Sequence, residues 1–160
     1  MMDKLKVLLR LKGLREEQTF RRVTAKRREV LDAEAVLHAA RRAMRESEAT
    51  LPTREDGVFQ PILRRVVGFD DVDRAKANLQ ALQKEHGKFV DSAERAGHVE
   101  KRLQKQLVEA IKVHQQAIRQ RDKYTTLTDE AATEHRQQFD YRDEVEVENQ
   151  LIGKYRKSHD

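Results

Sequence analysis

Nine positions seven residues apart, 75, 82, 89, 96, 103, 110, 117, 124 and 131, read Ala, Leu, Phe, Ala, Leu, Ala, Ala, Tyr and Ala. All nine are apolar or aromatic, where an apolar content of 38% gives about three or four by chance. Leu79, Leu107, Ile111 and Ile118 widen the stripe. A sustained seven-residue repeat specifies a helix that supercoils left-handedly against a partner helix. The same period runs earlier in the chain. Positions 9, 16, 23, 30, 37, 44 and 51 read Leu, Glu, Val, Val, Leu, Met and Leu. Their companions at 5, 12, 19, 26, 33, 40 and 47 are Leu, Lys, Thr, Lys, Ala, Ala and Ser. That half of the seam is small or polar, so little apolar area is buried per turn.

Both prolines, Pro52 and Pro61, fall in one stretch with Gly57 and Gly68. Proline breaks helices and restricts the residue before it. The expected organisation is one unit, residues 1–160: a helix over 3–51, a loop or short helix over 52–69, and a helix over 70–155. Gly87 and Gly97 mark where a bend would fall. Asp70 and Asp71 are placed to cap the second helix. The predicted fold is all-α, a long antiparallel two-helix coiled-coil hairpin. Two prolines and six glycines in 160 residues leave too few turn formers for a sandwich or a barrel. A doubly wound α/β fold needs Gly-rich loops that are also lacking.

Charge is distributed unevenly. Residues 1–28 carry ten basic and three acidic side chains; residues 129–150 carry eight acidic and two basic ones. Folding the chain back with its ends flush would set the basic front beside the acidic back. Residues 52–100 would then form a distinct head. The other register pairs the helices outward from the loop and leaves the acidic end overhanging. The charges favour flush ends.

Catalytic signatures are missing. There is no cysteine, so no thiolate nucleophile or Cys-based zinc site. No phosphate-binding or nucleophile-elbow motif occurs, and a two-helix coiled coil offers no concave site. The chain is not expected to be an enzyme, and no cofactor or metal is expected. Of the six histidines, His38, His86, His98, His114, His135 and His159, none forms a pair at i, i+4. His86, His114 and His135 fall on companion positions of the second seam, where polar residues tune register better than they form a metal or pH-sensing site. Asp70, Asp71 and Asp73 read as helix capping ahead of cation binding. Arg21, Arg22, Lys26, Arg27 and Arg28 form a basic segment that would suit nucleic acid, but acids interleave and the acidic end would neutralise it. No apolar run reaches the roughly 18 residues of a membrane span, and the charged opening is unlike a secretory signal. The loop residues Phe59, Ile62, Leu63, Val66, Val67 and Phe69 are the most hydrophobic cluster. They either cap the hairpin or form a docking patch.

A basic Leu-rich opening (Leu5-Lys6-Val7-Leu8-Leu9-Arg10-Leu11-Lys12-Gly13-Leu14-Arg15-Glu16-Glu17) leads into an Arg/Ala/Glu helix. The chain closes on an acidic helix, Phe139-Asp140-Tyr141-Arg142-Asp143-Glu144-Val145-Glu146-Val147-Glu148-Asn149. With the mid-chain break and the length, this pattern resembles the YscO/FliJ type of stalk protein of bacterial type III secretion, in the virulence or symbiosis branch. The resemblance implies an architecture similar to the γ stalk of rotary ATPases. It implies a non-enzymatic central stalk at the cytoplasmic face of the secretion apparatus. The implied partners are the hexameric secretion ATPase, the export-gate ring protein and, for some members, secretion chaperones. On that reading Arg10, Arg15, Arg21 and Arg22 are the candidate ATPase contacts. Phe59, Ile62, Leu63, Val66, Val67 and Phe69 are the candidates for the export gate. No nucleic acid or membrane insertion is expected. A generic coiled-coil scaffold or chaperone-like protein is the second reading, and a nucleic-acid binder the third.

Overall fold

The computed structural model describes residues 1–157. His159 lies outside the described residues. Two helices, α1 (Met2–Phe59) and α2 (Phe69–Lys157), run antiparallel and pack against each other, and no strand occurs among the described residues.

On α1 the buried and half-buried side chains follow the two seven-residue series read from the sequence, with Val23, Val30, Ala33, Leu37 and Ser47 the best buried. On α2 the series from Ala75 to Ala131 and its companions play the same part, with Ala75, Ala93, Ala110 and Ala117 below 9% exposed. No side chain is fully enclosed. A single seam of mostly small residues lets two backbones approach closely but cannot surround a large side chain.

α1 continues past its expected end at 51 to Phe59, with Pro52 inside it. Proline removes one helical hydrogen bond and typically costs about 3 kcal/mol within a helix. The seam outweighs that loss: Leu51 before the proline and Arg54 and Val58 beyond it continue the seam, all half-buried. Arg54 reaches back to the Ser47 hydroxyl (3.3 Å) and across to Glu85 (3.6 Å). The helix stops two residues before Pro61, where the N–H groups of Ile62 and Leu63 both donate to the Phe59 carbonyl. The break is therefore residues 60–68 rather than 52–69. The N-terminus of α2 is capped by its third residue: Asp71 Oδ2 accepts from the Gly68 N–H at 3.3 Å. Gly87 and Gly97 both lie inside α2 without interrupting it.

Contacts divide the chain into two compact units, one of Met1–Arg22 with Ile111 onward, the other Val23–Ala110. In the second unit Ser47 meets His86, and a Cβ on Gly97 would sit 3.8 Å from Leu37 Cδ1. Lys26 donates to Gln106 at 3.0 Å. Residues 52–59 and 69–100 belong to these paired helices, so no separate head forms.

In the first unit Thr19 meets His114, Glu16 meets Arg121, and Lys12 sits over Tyr124. This register exhausts α1 near Ala131 and Ala132, the last half-buried positions of α2; every residue from 133 to 157 is exposed. The ends are staggered, not flush. Ion pairs between exposed charges contribute about 0–1 kcal/mol each, whereas a Val or Leu side chain contributes about 1.5–3 kcal/mol when fully buried, and the seam adds many such smaller contributions along its length. The seam therefore sets the register and the opposite end charges do not. His135 accordingly lies beyond the pairing, exposed, although its position continues the seam.

Candidate partner-binding surfaces

In the unit that holds the front of the chain, the paired seam is unusually polar. Thr19 Oγ1 and His114 Nδ1 are 2.9 Å apart, and the Phe20 ring tilts against His114 at 5.7 Å between centroids. Glu16 accepts from Arg121 Nη1 at 2.5 Å, while Arg121 Nη2 donates to Asp122 at 2.8 Å. The hydrogen bond that Arg121 donates to Asp122 raises its guanidinium above its ordinary pKa; desolvation opposes this, and the charges of Glu16 and Asp122 add to the rise.

Arg10, Arg15, Arg21 and Arg22 are all exposed on α1. At about 100° per residue they form two rows, Arg10 with Arg21 and Arg15 with Arg22, about 120° apart. Between the rows lies an apolar stripe that sequence reasoning missed: Val7, Leu11 and Leu14, 59%, 54% and 48% exposed. Its i, i+4, i+7 spacing was visible in the sequence but sits off the heptad series, so it was not separated from the core stripe. The acidic stretch 140–148 lies past the end of α1, so the basic front is not neutralised by it. The paired part of α2 in this unit, residues 111–132, carries four Lys/Arg and three Asp/Glu.

In the other unit the loop cluster divides in two. Ile62 and Val67 are half-buried and line a shallow groove with Val58 and Ala75. Leu63, Val66 and Phe69 stand out at 73%, 105% and 92% exposure, with Phe59 at the margin. Capping and display are thus performed by different residues of one cluster. His86 is held at 3.0 Å by Ser47, in a seam layer and not in a metal-binding group. Among the described residues no cluster of three or more His, Asp or Glu is placed to hold a metal, and no helix is long and apolar enough to cross a membrane.

The family model for the type III secretion protein YscO matches residues 5–151. This chain belongs to the YscO family. The fold agrees with the crystal structure of type III secretion protein YscO from Vibrio parahaemolyticus, at a TM-score of 0.89 and 17% identity. That match covers 92% of this chain and 93% of the other. No curated protein sequence matches the chain. YscO membership gives the chain a role in type III secretion.

Proposed function

We propose that this YscO-family protein is a non-enzymatic central stalk of a type III secretion ATPase complex. It acts at the cytoplasmic face of the apparatus, supporting export by touching the hexameric ATPase with one unit and the export-gate ring with the other. Secretion chaperones are further candidate partners. The observation that carries this reading is the uncompensated basic face: Arg10, Arg15, Arg21 and Arg22 are exposed, and the acidic stretch of the same chain lies out of their reach. Surface charge of this kind steers a partner and tolerates several equivalent docking positions, as a ring of six subunits presents. The stripe Val7, Leu11 and Leu14 gives that face an apolar contact as well. At the loop, Leu63, Val66 and Phe69 are the proposed gate contacts, with Phe59, Ile62 and Val67 forming their support.

The test is stimulation of the cognate ATPase by the purified protein. Reversing Arg10, Arg15, Arg21 and Arg22 to Glu should lower stimulation severalfold with helicity unchanged, and the wild-type effect should weaken as salt rises. A folded variant that stimulates as well as wild type removes the basic face from the contact. A wild-type chain that neither binds nor stimulates the ATPase at low salt makes a generic coiled-coil scaffold the better reading.

A further inference from the structure

The outer face of α1 at the front of the chain has the layout of a helix that lies on a surface. Its crest is Val7, Leu11 and Leu14, followed by Gln18, all exposed. Steps of four and three residues keep these four within about 60° of one another around the helix. Lys4 joins Arg15 and Arg22 along one edge of the crest, and Arg10 and Arg21 hold the other edge. All five cations are exposed. The acids on this face are Asp3 and Glu17, both on the Arg10 side. Lys12, Glu16 and Thr19 meet α2 from the opposite side of α1.

This layout selects an occupant. On a helix lying flat, the two cationic rows sit at equal depth and the apolar crest projects below them. A layer of anionic headgroups over acyl chains meets both rows and the crest at once. The long basic side chains spread their charges sideways to the headgroups while their stems cover apolar surface. A protein partner would need an apolar groove rimmed by acids on both sides to match as much. The helix is already formed and held by its seam, so the contact carries no folding cost. α2 is held about 10 Å further from the surface, close to one screening length at physiological salt. Its acidic stretch 140–148 therefore opposes the contact only weakly.

We propose that this face of α1 rests on an anionic lipid surface, in a peripheral and reversible contact that does not cross the bilayer. The crest is short, so binding needs both parts of the face. The cations draw the helix down, and Val7, Leu11 and Leu14 enter the boundary between headgroups and acyl chains. The same side chains form the proposed ATPase contact, so lipid and ATPase exclude each other there. The inference does not rest on that contact, because the test holds only the chain and vesicles.

Flotation of the full chain at low salt with phosphatidylcholine vesicles containing about one-third phosphatidylserine should recover it with the vesicles, and pure phosphatidylcholine should not. Arg15→Gln and Arg22→Gln should each lower binding about fivefold. Leu11→Gln with Leu14→Gln should lower it severalfold as well, with melting unchanged because both lie outside the α1–α2 seam. The chain has no tryptophan, so Leu11→Trp supplies a sole reporter. Its emission should shift to the blue on anionic vesicles, whereas that of Gln116→Trp, exposed on α2, should not. No binding to anionic vesicles at low salt overturns the proposal and leaves the ATPase reading standing; if reversal of the arginines still abolishes stimulation, the face belongs to a protein partner. Equal binding to both kinds of vesicle overturns it too. So does binding that ignores the leucine changes and leaves the Leu11→Trp emission unshifted, which is attraction of surface charge alone. A shift at Gln116→Trp in place of Leu11→Trp would put the contact on α2 and is equally fatal.

Discussion

At the scale of single residues, the polar layers are where this seam differs from a generic coiled coil. Ser47 is 6% exposed, and its hydroxyl serves both His86 Nδ1 and Arg54 Nη2. Ser47→Ala leaves both partners short of an oxygen at the seam, and should cost about 1–3 kcal/mol in urea unfolding. Removing the histidine as well, with His86→Leu, should recover much of that loss, because replacing both partners by apolar groups avoids the unsatisfied site. A double mutant no more stable than Ser47→Ala alone would show that the pair is not the source of the cost. The sequence placed His86 and His114 on the seam by their spacing. It could not pair them with Ser47 and Thr19, because partners across two helices depend on register, which residue spacing within one helix does not contain.

At the scale of elements, the period of the apolar pattern was legible because burial on a coiled coil recurs every 3.5 residues in both helices. The boundaries were less so. Pro52 reads as a stop by local chemistry, yet Leu51, Arg54 and Val58 hold the helix together across it. If the seam bears this strain, Pro52→Ala should raise stability by about 1–3 kcal/mol with an unchanged denaturant slope, by restoring a hydrogen bond and removing a clash. No gain in the urea midpoint would mean that the proline is not strained in α1. Gly97 likewise read as a bend and is ordinary helix. A Cβ there would meet Leu37 Cδ1 at 3.8 Å, a normal contact, and on Gly87 it would meet nothing within 4 Å. Gly97→Ala and Gly87→Ala should each add about 0.5–1 kcal/mol to thermal stability, since glycine in a helix loses more chain entropy on folding. A destabilised Gly97→Ala would indicate a tighter approach of the two helices there.

The loop cluster belongs to the same scale, and its two halves should separate in experiment. Leu63→Ser, Val66→Ser and Phe69→Ser, made together, should leave melting nearly unchanged and reduce capture by the export-gate ring. Ile62→Ser should lower the melting temperature, because Ile62 lines the groove under the loop. The sequence offered capping and docking as alternatives for one cluster. Choosing residue by residue required knowing which side chains turn inward.

At the scale of the whole molecule, the hardest feature to read was the stagger of the two ends. The sequence shows a basic front and an acidic back and invites their pairing. The 58 and 89 residues of α1 and α2 instead meet through the seam, and the front pairs with residues before 133. A label at Lys6 and another at Tyr155 should therefore be about 40 Å apart, from the helical rise between the residue opposite Lys6 and Tyr155. This stagger divides stability from function along α2. Residues 136–157 are exposed throughout, so a chain ending at Arg136 should keep the seam. Its melting temperature should fall by no more than a few degrees, within the shift that about 1 kcal/mol produces. It keeps Arg10, Arg15, Arg21 and Arg22, so stimulation of the ATPase should persist if the basic face carries it. Stimulation lost on truncation, with the melting temperature held, would move the ATPase contact from the front of α1 to the end of α2.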